Sequence, residues 1–227
     1  MQSVGNDIID LRAINTQRSN DSRFYTKILS VSEMALYRRP EYAHISFEHF
    51  LWLLWSIKES GYKYLKRGIP DLVFSPLKII IQSIDLPADT AVKYFNSGQW
   101  EGDVTGEDCY KGSCIFENNT IYFKSKFYAE LIATVVSEDE NFEHTRWGIQ
   151  TIEYADTDHQ SKKVRSFFLK RLNAFIPDND LRIEKDTAGY PLIYSGTKEL
   201  KFPVSFAHHA HFIAYSFLLN SYSSMNA

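Results

Sequence analysis

Residues 4–11 form a short, branched and apolar run, which predicts a strand. A polar stretch follows, then a short helix beginning near the cap candidate Ser32. The strongest helix is predicted over residues 47–67, with Ser46 as N-cap candidate and Gly68 as C′ candidate. Residues 77–84 predict a strand. Residues 97–119 carry Gly98, Gly102, Gly106 and Gly112 and predict a loop or hairpin, and residues 122–123 and 130–136 predict two further strands.

A second series repeats the first. It opens with a strand at 147–153 and a helix at 161–175, whose Val164, Phe168, Leu172 and Phe175 recur at helical spacing. Strands are predicted at 181–184, 192–194, 202–206 and 212–219. The two opening strands align weakly, with Asp7 opposite Gln150, and Leu131-Ile132-Ala133 aligns with Phe212-Ile213-Ala214. The expected fold is α+β: two similar α/β halves packed as a pseudo-dimer, each a long helix against a small, mostly antiparallel sheet. The halves are placed at 1–140, with a longer insertion, and 141–220, followed by a flexible tail at 221–227.

The chain has 227 residues, 44% hydrophobic and 23% charged, a composition that excludes disorder, collagen and coiled coil. With 25 basic and 28 acidic side chains the formal charge is −3, so no overall basic field draws it to nucleic acid or an anionic membrane. The longest apolar runs, 51–55 and 132–136, fall far short of the roughly 20 residues that span a bilayer. The N-terminal residues lack a basic start and an apolar signal core, and the expected location is cytoplasmic. Cys109 and Cys114 have no partners at zinc-like spacing and read as reduced structural thiols.

Three groups of residues break the hydrophobic pattern. On a helical wheel of about 100° per residue, Phe47, Leu51, Leu54, Tyr62 and Leu65 share one direction, and Lys58 points the same way. A lysine in an apolar stripe must snorkel out along its stem or meet a buried anion. Glu59 flanks the stripe beside Trp55, with Lys63 at i+4; alone, that pair is an ordinary surface contact. Asp7 interrupts a core strand, where an unpaired carboxylate is costly and a metal ion would offset the cost. One carboxylate from a strand and one from a helix, completed by phosphate oxygens and water, is a common way to hold Mg²⁺. Third, His208, His209 and His211 lie near the C-terminus. Strand alternation places His209 and His211 on one face, where a transition metal would fit, but hydrogen-bonded structural roles are the preferred reading for these two. Lys162, Lys163 and Arg165, with Lys170 and Arg171, make a basic helix face suited to water or to a phosphate-bearing ligand. No glycine-rich phosphate loop, G-x-S-x-G elbow or H-E-x-x-H is present.

Gly5-Asn6-Asp7-Ile8 and Trp55-Ser56-Ile57-Lys58-Glu59-Ser60-Gly61-Tyr62-Lys63 resemble the G-x-D-I and W-x-x-K-E-x-x-x-K signatures of the 4′-phosphopantetheinyl transferase superfamily. Gly189-Tyr190-Pro191 resembles its G-x-P element. Ser205-Phe206-Ala207-His208 resembles its S-x-S-H element, with Ala207 in place of the second serine. Residues 85–119 carry none of the resemblance. The motif order is similar to that of the small holo-acyl-carrier-protein synthases, whereas the length is that of the larger fused enzymes. Gln150, and Leu169-Lys170-Arg171 where a Lys-Glu would be sought, imply that the second half has lost its own metal site.

The resemblance implies a Mg²⁺-dependent transferase with holo-acyl-carrier-protein synthase activity. It would move the phosphopantetheine arm of coenzyme A to a serine of an apo acyl or peptidyl carrier protein, in fatty acid or secondary metabolite biosynthesis, and release adenosine 3′,5′-bisphosphate. Asp7 and Glu59 would hold Mg²⁺; Ile9 stands where the larger enzymes often carry a third acidic ligand. Lys58 and Lys63 would bind phosphate, and Glu59, directly or through a water, would accept the serine proton. His208, with Ser205, would bind a coenzyme A phosphate. Gly189, Tyr190 and Pro191 would line the adenine, and Lys162, Lys163 or Arg165 would reach the 3′-phosphate. Because one set of motifs is divided between two halves, the expected state is a monomer with one internal site, without nucleic-acid or membrane partners. Two rivals remain: a coenzyme A or carrier-protein binding module without transfer, to which Ala207 gives weight, and a purely structural α+β protein.

Overall fold

The first apolar run forms β1 (Gly5–Asp10), every residue of it buried. In the computed structural model, which describes residues 3–103, 108–186 and 189–219, the polar stretch after it winds into α1 (Thr16–Ser19) and α2 (Ser22–Tyr25). The tail expected at 221–227 lies outside the described residues. The next helix, α3 (Val31–Tyr37), starts at Ser30 rather than near Ser32. Ser30 Oγ accepts from Glu33 N while Glu33 Oε2 accepts from Ser30 N, a reciprocal capping box that fixes the start. The long helix is α4 (Phe47–Lys66), capped by Ser46 Oγ, which accepts from His49 N.

Residues 97–119 correct the expectation of a loop or hairpin. After β2 (Ile79–Asp85), the chain forms β3 (Gln99–Asp103) and β4 (Tyr110–Phe116), which do not pair with each other. The glycines concealed them. A Cβ on Gly112 would stand 2.0 Å from Ser83 O, beside the irregularity in β2, so glycine here serves close packing and not a turn.

The remaining elements follow the predicted order, with one unpredicted strand, β10, added: β5 (Asn119–Phe127), β6 (Leu131–Ser137), β7 (Thr145–Thr151), α5 (Thr157–Asn173), β8 (Leu181–Lys185), β9 (Pro191–Ser195), β10 (Lys198–Leu200), β11 (Val204–His209) and β12 (Phe212–Leu218). Three antiparallel sheets result, ordered β1-β6-β5-β4-β2, β11-β12-β7-β3 and β10-β9-β8. The fold is α+β. Alternation sorts the apolar residues into layers: on β6, Ile132 and Val136 belong to the core under α4, while Leu131, Ala133 and Val135 belong to the core between the two larger sheets. On β12, Ile213, Tyr215 and Phe217 pack with Phe167 and Phe168 of α5 in a third cluster.

The two series share an order of elements but not their packing. Each opens with a strand that pairs antiparallel with its last strand, Gly5 opposite Val136 and Gly148 opposite Tyr215. However, α4 lies across β1 and β6, whereas α5 lies on β12 and β11. A strand from the first series, β3, pairs with β7 and completes the second sheet. Both cysteines are buried free thiols. Among the described residues no helix is long and apolar enough to cross a membrane.

Candidate active site

Because Ile9 packs under α4 and Ile8 between the sheets, strand alternation turns Asp7 toward α4. There Lys63 Nζ stands 3.2 Å from Asp7 Oδ1 and 3.4 Å from Glu59 Oε1, so one ammonium bridges the two predicted metal carboxylates. The Trp55 indole N–H donates to Glu59 Oε2 at 3.0 Å and holds that side chain in place. Asp7 Oδ2 is buried with no hydrogen-bond partner among the described residues. Burial pushes the Asp7 carboxyl up to about 7; Lys63 opposes the shift and Glu59 adds to it. For Lys63 burial lowers the pKa, but Asp7 and Glu59 outweigh it and the net shift is upward. That direction suits a phosphate ligand and not a base.

Lys58 does not join this group, which corrects the expectation of a phosphate contact. Its side chain is 0% exposed, and Nζ donates to Glu33 Oε2 at 2.7 Å and to Ile28 O at 2.6 Å. The anion in the apolar stripe is therefore Glu33, itself fully buried, whose Oε1 accepts from Ile81 N at 2.9 Å. Glu33 thus links α3, α4 and β2. Capping-box spacing from Ser30 was the sequence signal that could have found it.

Beyond Lys63 the end of α4 opens onto a cleft of about 390 Å³. The first series contributes Lys63, Lys66 and Arg67 to its wall. From the second series come Arg165, Lys185, Gly189, Tyr190, Pro191, Ser205 and His208, and no carboxylate lines it among the described residues. Six of the eight residues expected to bind coenzyme A therefore meet here, together with one of the expected catalytic residues. Lys162 instead lines a separate open groove along α5 with Lys170, and Lys163 is exposed and lines neither. Lys66 and Arg67 were missed although they lie three and four residues after Lys63, on the same helix face. Lys185 carried no local signal.

A turn shapes the far wall: Gly189 has φ +89°, and Tyr190 N donates to Asp186 Oδ1 at 2.7 Å. Arg67 packs over the Tyr190 ring, 5.7 Å from its centroid, and donates from Nη2 to Val204 O at 2.9 Å. His208 is exposed to the cleft, and partial desolvation by its wall lowers the pKa, with nearby Lys63 and His209 acting in the same direction. The other two histidines are hydrogen-bonded structural residues: His209 Nδ1 accepts from Asp10 N at 2.8 Å, and His211 Nδ1 lies 3.3 Å from Ile152 O. Ala207 is buried in the cluster between the sheets and does not line the cleft, so the serine it replaces is missing from that core and not from the wall.

Neither the curated proteins nor the solved structures hold a match to this chain. A family model does match: 4′-phosphopantetheinyl transferase superfamily, over residues 3–108. The matched stretch contains Asp7, Lys58, Glu59 and Lys63; the Gly189-Tyr190-Pro191 and His208 elements lie beyond it. The match supports phosphopantetheinyl transfer as the general class of chemistry, with coenzyme A and a carrier protein as the partners this class implies. Residues 3–108, which hold both carboxylates and the bridging lysine, thus match the 4′-phosphopantetheinyl transferase superfamily.

Proposed function

We propose that this chain transfers the 4′-phosphopantetheine arm of coenzyme A to a serine hydroxyl of an apo carrier protein, with release of adenosine 3′,5′-bisphosphate. One observation carries the reading: a buried carboxylate with an unpartnered oxygen, Asp7, shares a lysine with a second carboxylate, Glu59, and that lysine also lines a cleft whose described wall holds cations and no acids. A buried carboxylate whose ionised form is disfavoured is a fitting ligand for a divalent cation. Among the described residues no group of three or more His, Cys, Asp or Glu is gathered, so Asp7 and Glu59 would be the two protein ligands of Mg²⁺. When bound, Mg²⁺ would neutralise charge on the pyrophosphate and polarise the phosphorus under attack.

The residues of the chain supply the rest. Lys66, Arg67, Lys185 and Arg165 hold the phosphates of coenzyme A by charge, and His208 contributes a hydrogen bond. Tyr190 and Pro191 line the adenine. The serine oxygen forms a bond to the phosphorus that carries pantetheine, its proton passes to Glu59, and the bond from that phosphorus to the bridging oxygen breaks, leaving its electron pair on adenosine bisphosphate. Lys63, within reach of both carboxylates and the cleft, binds a phosphate oxygen. Both series contribute to one cleft, so one chain completes one site; we read the two series as a diverged internal pair and the active protein as a monomer.

The reading is tested by incubating the purified chain with an apo carrier protein, coenzyme A and Mg²⁺ and measuring carrier mass. A gain of one phosphopantetheine that is abolished in Asp7→Ala and Glu59→Ala supports it. Metal-independent coenzyme A binding without any mass gain would favour a binding module instead, a reading that loses its main support now that Ala207 lies outside the cleft wall.

A further inference from the structure

The metal carboxylate and the cleft histidine sit on different sheets, and two side chains of β11 join them. On its open edge β1 donates Asn6 N to Ser205 Oγ at 3.1 Å and Asp10 N to His209 Nδ1 at 2.8 Å. Both contacts span the same 199 residues of sequence, so β1 and β11 run in the same direction, four residues of one against four of the other. These are not ladder bonds. Ser205 and His209 lie on one face of β11 with Ala207 between them, and they take the place of backbone acceptors. The Asp10 carboxylate is not the partner of His209: both its oxygens are held by the Arg12 guanidinium, at 2.9 Å each. Each joint lies next to a residue of the site, Asn6 before Asp7 and His209 after His208.

We infer that Ser205 and His209 are positioning residues that set Asp7, the metal carboxylate of the first sheet, against the phosphate-binding end of the cleft. The inference rests on the proposed function, because it concerns the coupling between Mg²⁺ and coenzyme A. Two ligands held in fixed relation on separate elements bind with a coupling that loosening the joint diminishes, whereas affinity built from contacts on walls that another tie holds together persists. Arg67 Nη2 to Val204 O remains as a separate tie at the end of α4, so the cleft itself survives loss of the joint.

The test is calorimetric titration of coenzyme A into the full chain with and without Mg²⁺, for wild type, Ser205→Ala, His209→Leu and His209→Asn. In wild type Mg²⁺ tightens coenzyme A binding. His209→Leu should reduce that enhancement about fivefold, the equivalent of one hydrogen bond, while metal-free affinity stays within about twofold; Ser205→Ala, in a residue of the cleft wall, should reduce the enhancement by a similar factor whatever its own metal-free affinity. His209→Asn, whose Oδ1 can stand in for Nδ1, should restore it. A lowered melting temperature with the enhancement intact would overturn the inference and leave a structural role. So would a loss confined to metal-free affinity. No Mg²⁺ enhancement in wild type would overturn the proposed function and the inference with it. Ser205→Ala removes a single oxygen, so its ratio of affinities with and without Mg²⁺ decides the matter even if His209→Leu fails to fold.

Discussion

A Cβ on Gly5 would stand 2.0 Å from the carbonyl oxygen of Ser60, so β1 and α4 meet backbone to backbone at this point. The contact explains why the first motif residue is glycine: it lets the strand lie close enough for Asp7 to meet Lys63 and Glu59 on the helix. Gly148, at the corresponding place in the second series, admits the Tyr215 ring instead, 2.6 Å from where its Cβ would be.

Gly5→Ala should therefore force the strand off the helix. The expected cost is about 1–3 kcal/mol of stability, read as a lower urea midpoint with unchanged slope. Transfer activity should fall further than stability does, because Asp7 moves with β1. Wild-type activity and stability together would show that the contact is not restrictive.

Lys58→Met should destabilise the protein by about 3–5 kcal/mol, because it leaves Glu33 as an uncompensated charge in a site closed to water. Adding Glu33→Gln should recover part of the loss, since the amide oxygen can still accept from Ile81 N or Ser30 N without carrying charge. Urea unfolding of the single and double variants measures the coupling. Additive losses would deny that the pair acts as a unit.

The Asp7 pKa, raised by burial from 3.8 to about 7, fixes a sign. The folded state holds the Asp7 proton more tightly than the unfolded chain does, so this group's contribution to stability is complete below about pH 3.8 and is lost as pH rises through about 7. In metal-free protein Asp7→Asn should raise the melting temperature at pH 8 relative to wild type while abolishing transfer. Mg²⁺ must displace that proton, so its affinity should increase from pH 6 to 8, with proton release detectable by titration in buffers of different ionisation enthalpy. A metal affinity flat across this range would remove Asp7 from the site.

His208 has the opposite sign in ligand binding. Partial desolvation, Lys63 and His209 hold its pKa below 6.5 in the free protein, and a phosphate beside it would raise that pKa. Metal-free coenzyme A binding should then take up a proton, strengthen as pH falls through the bound-state pKa and weaken as pH rises above it. His208→Ala should cost about 1.5–3 kcal/mol of affinity and flatten the dependence. His211→Ala should change neither, and equal losses for both would point to a shared structural role.

Local pattern determined much of this protein. The apolar stripe and Ser46 defined α4, short branched apolar runs defined most strands, and spacing alone put Glu59 and Lys63 one turn apart with Asp7 on a buried strand. A lysine in that stripe called for either a snorkelling stem or a buried anion, without saying which. Tertiary structure supplied Glu33 as the answer, and with it moved Lys58 from the site to the core. It also decided that Gln99–Asp103 and Tyr110–Phe116 form strands of two different sheets, that Lys66, Arg67 and Lys185 share a cleft with His208, and that Ala207 faces a core. The division has a physical cause. Periodicity along a chain encodes which face of an element is apolar, because neighbouring residues fix it. Which faces meet depends on packing between segments as far apart as Asn6 and Ser205, 199 residues away, and no local pattern records that.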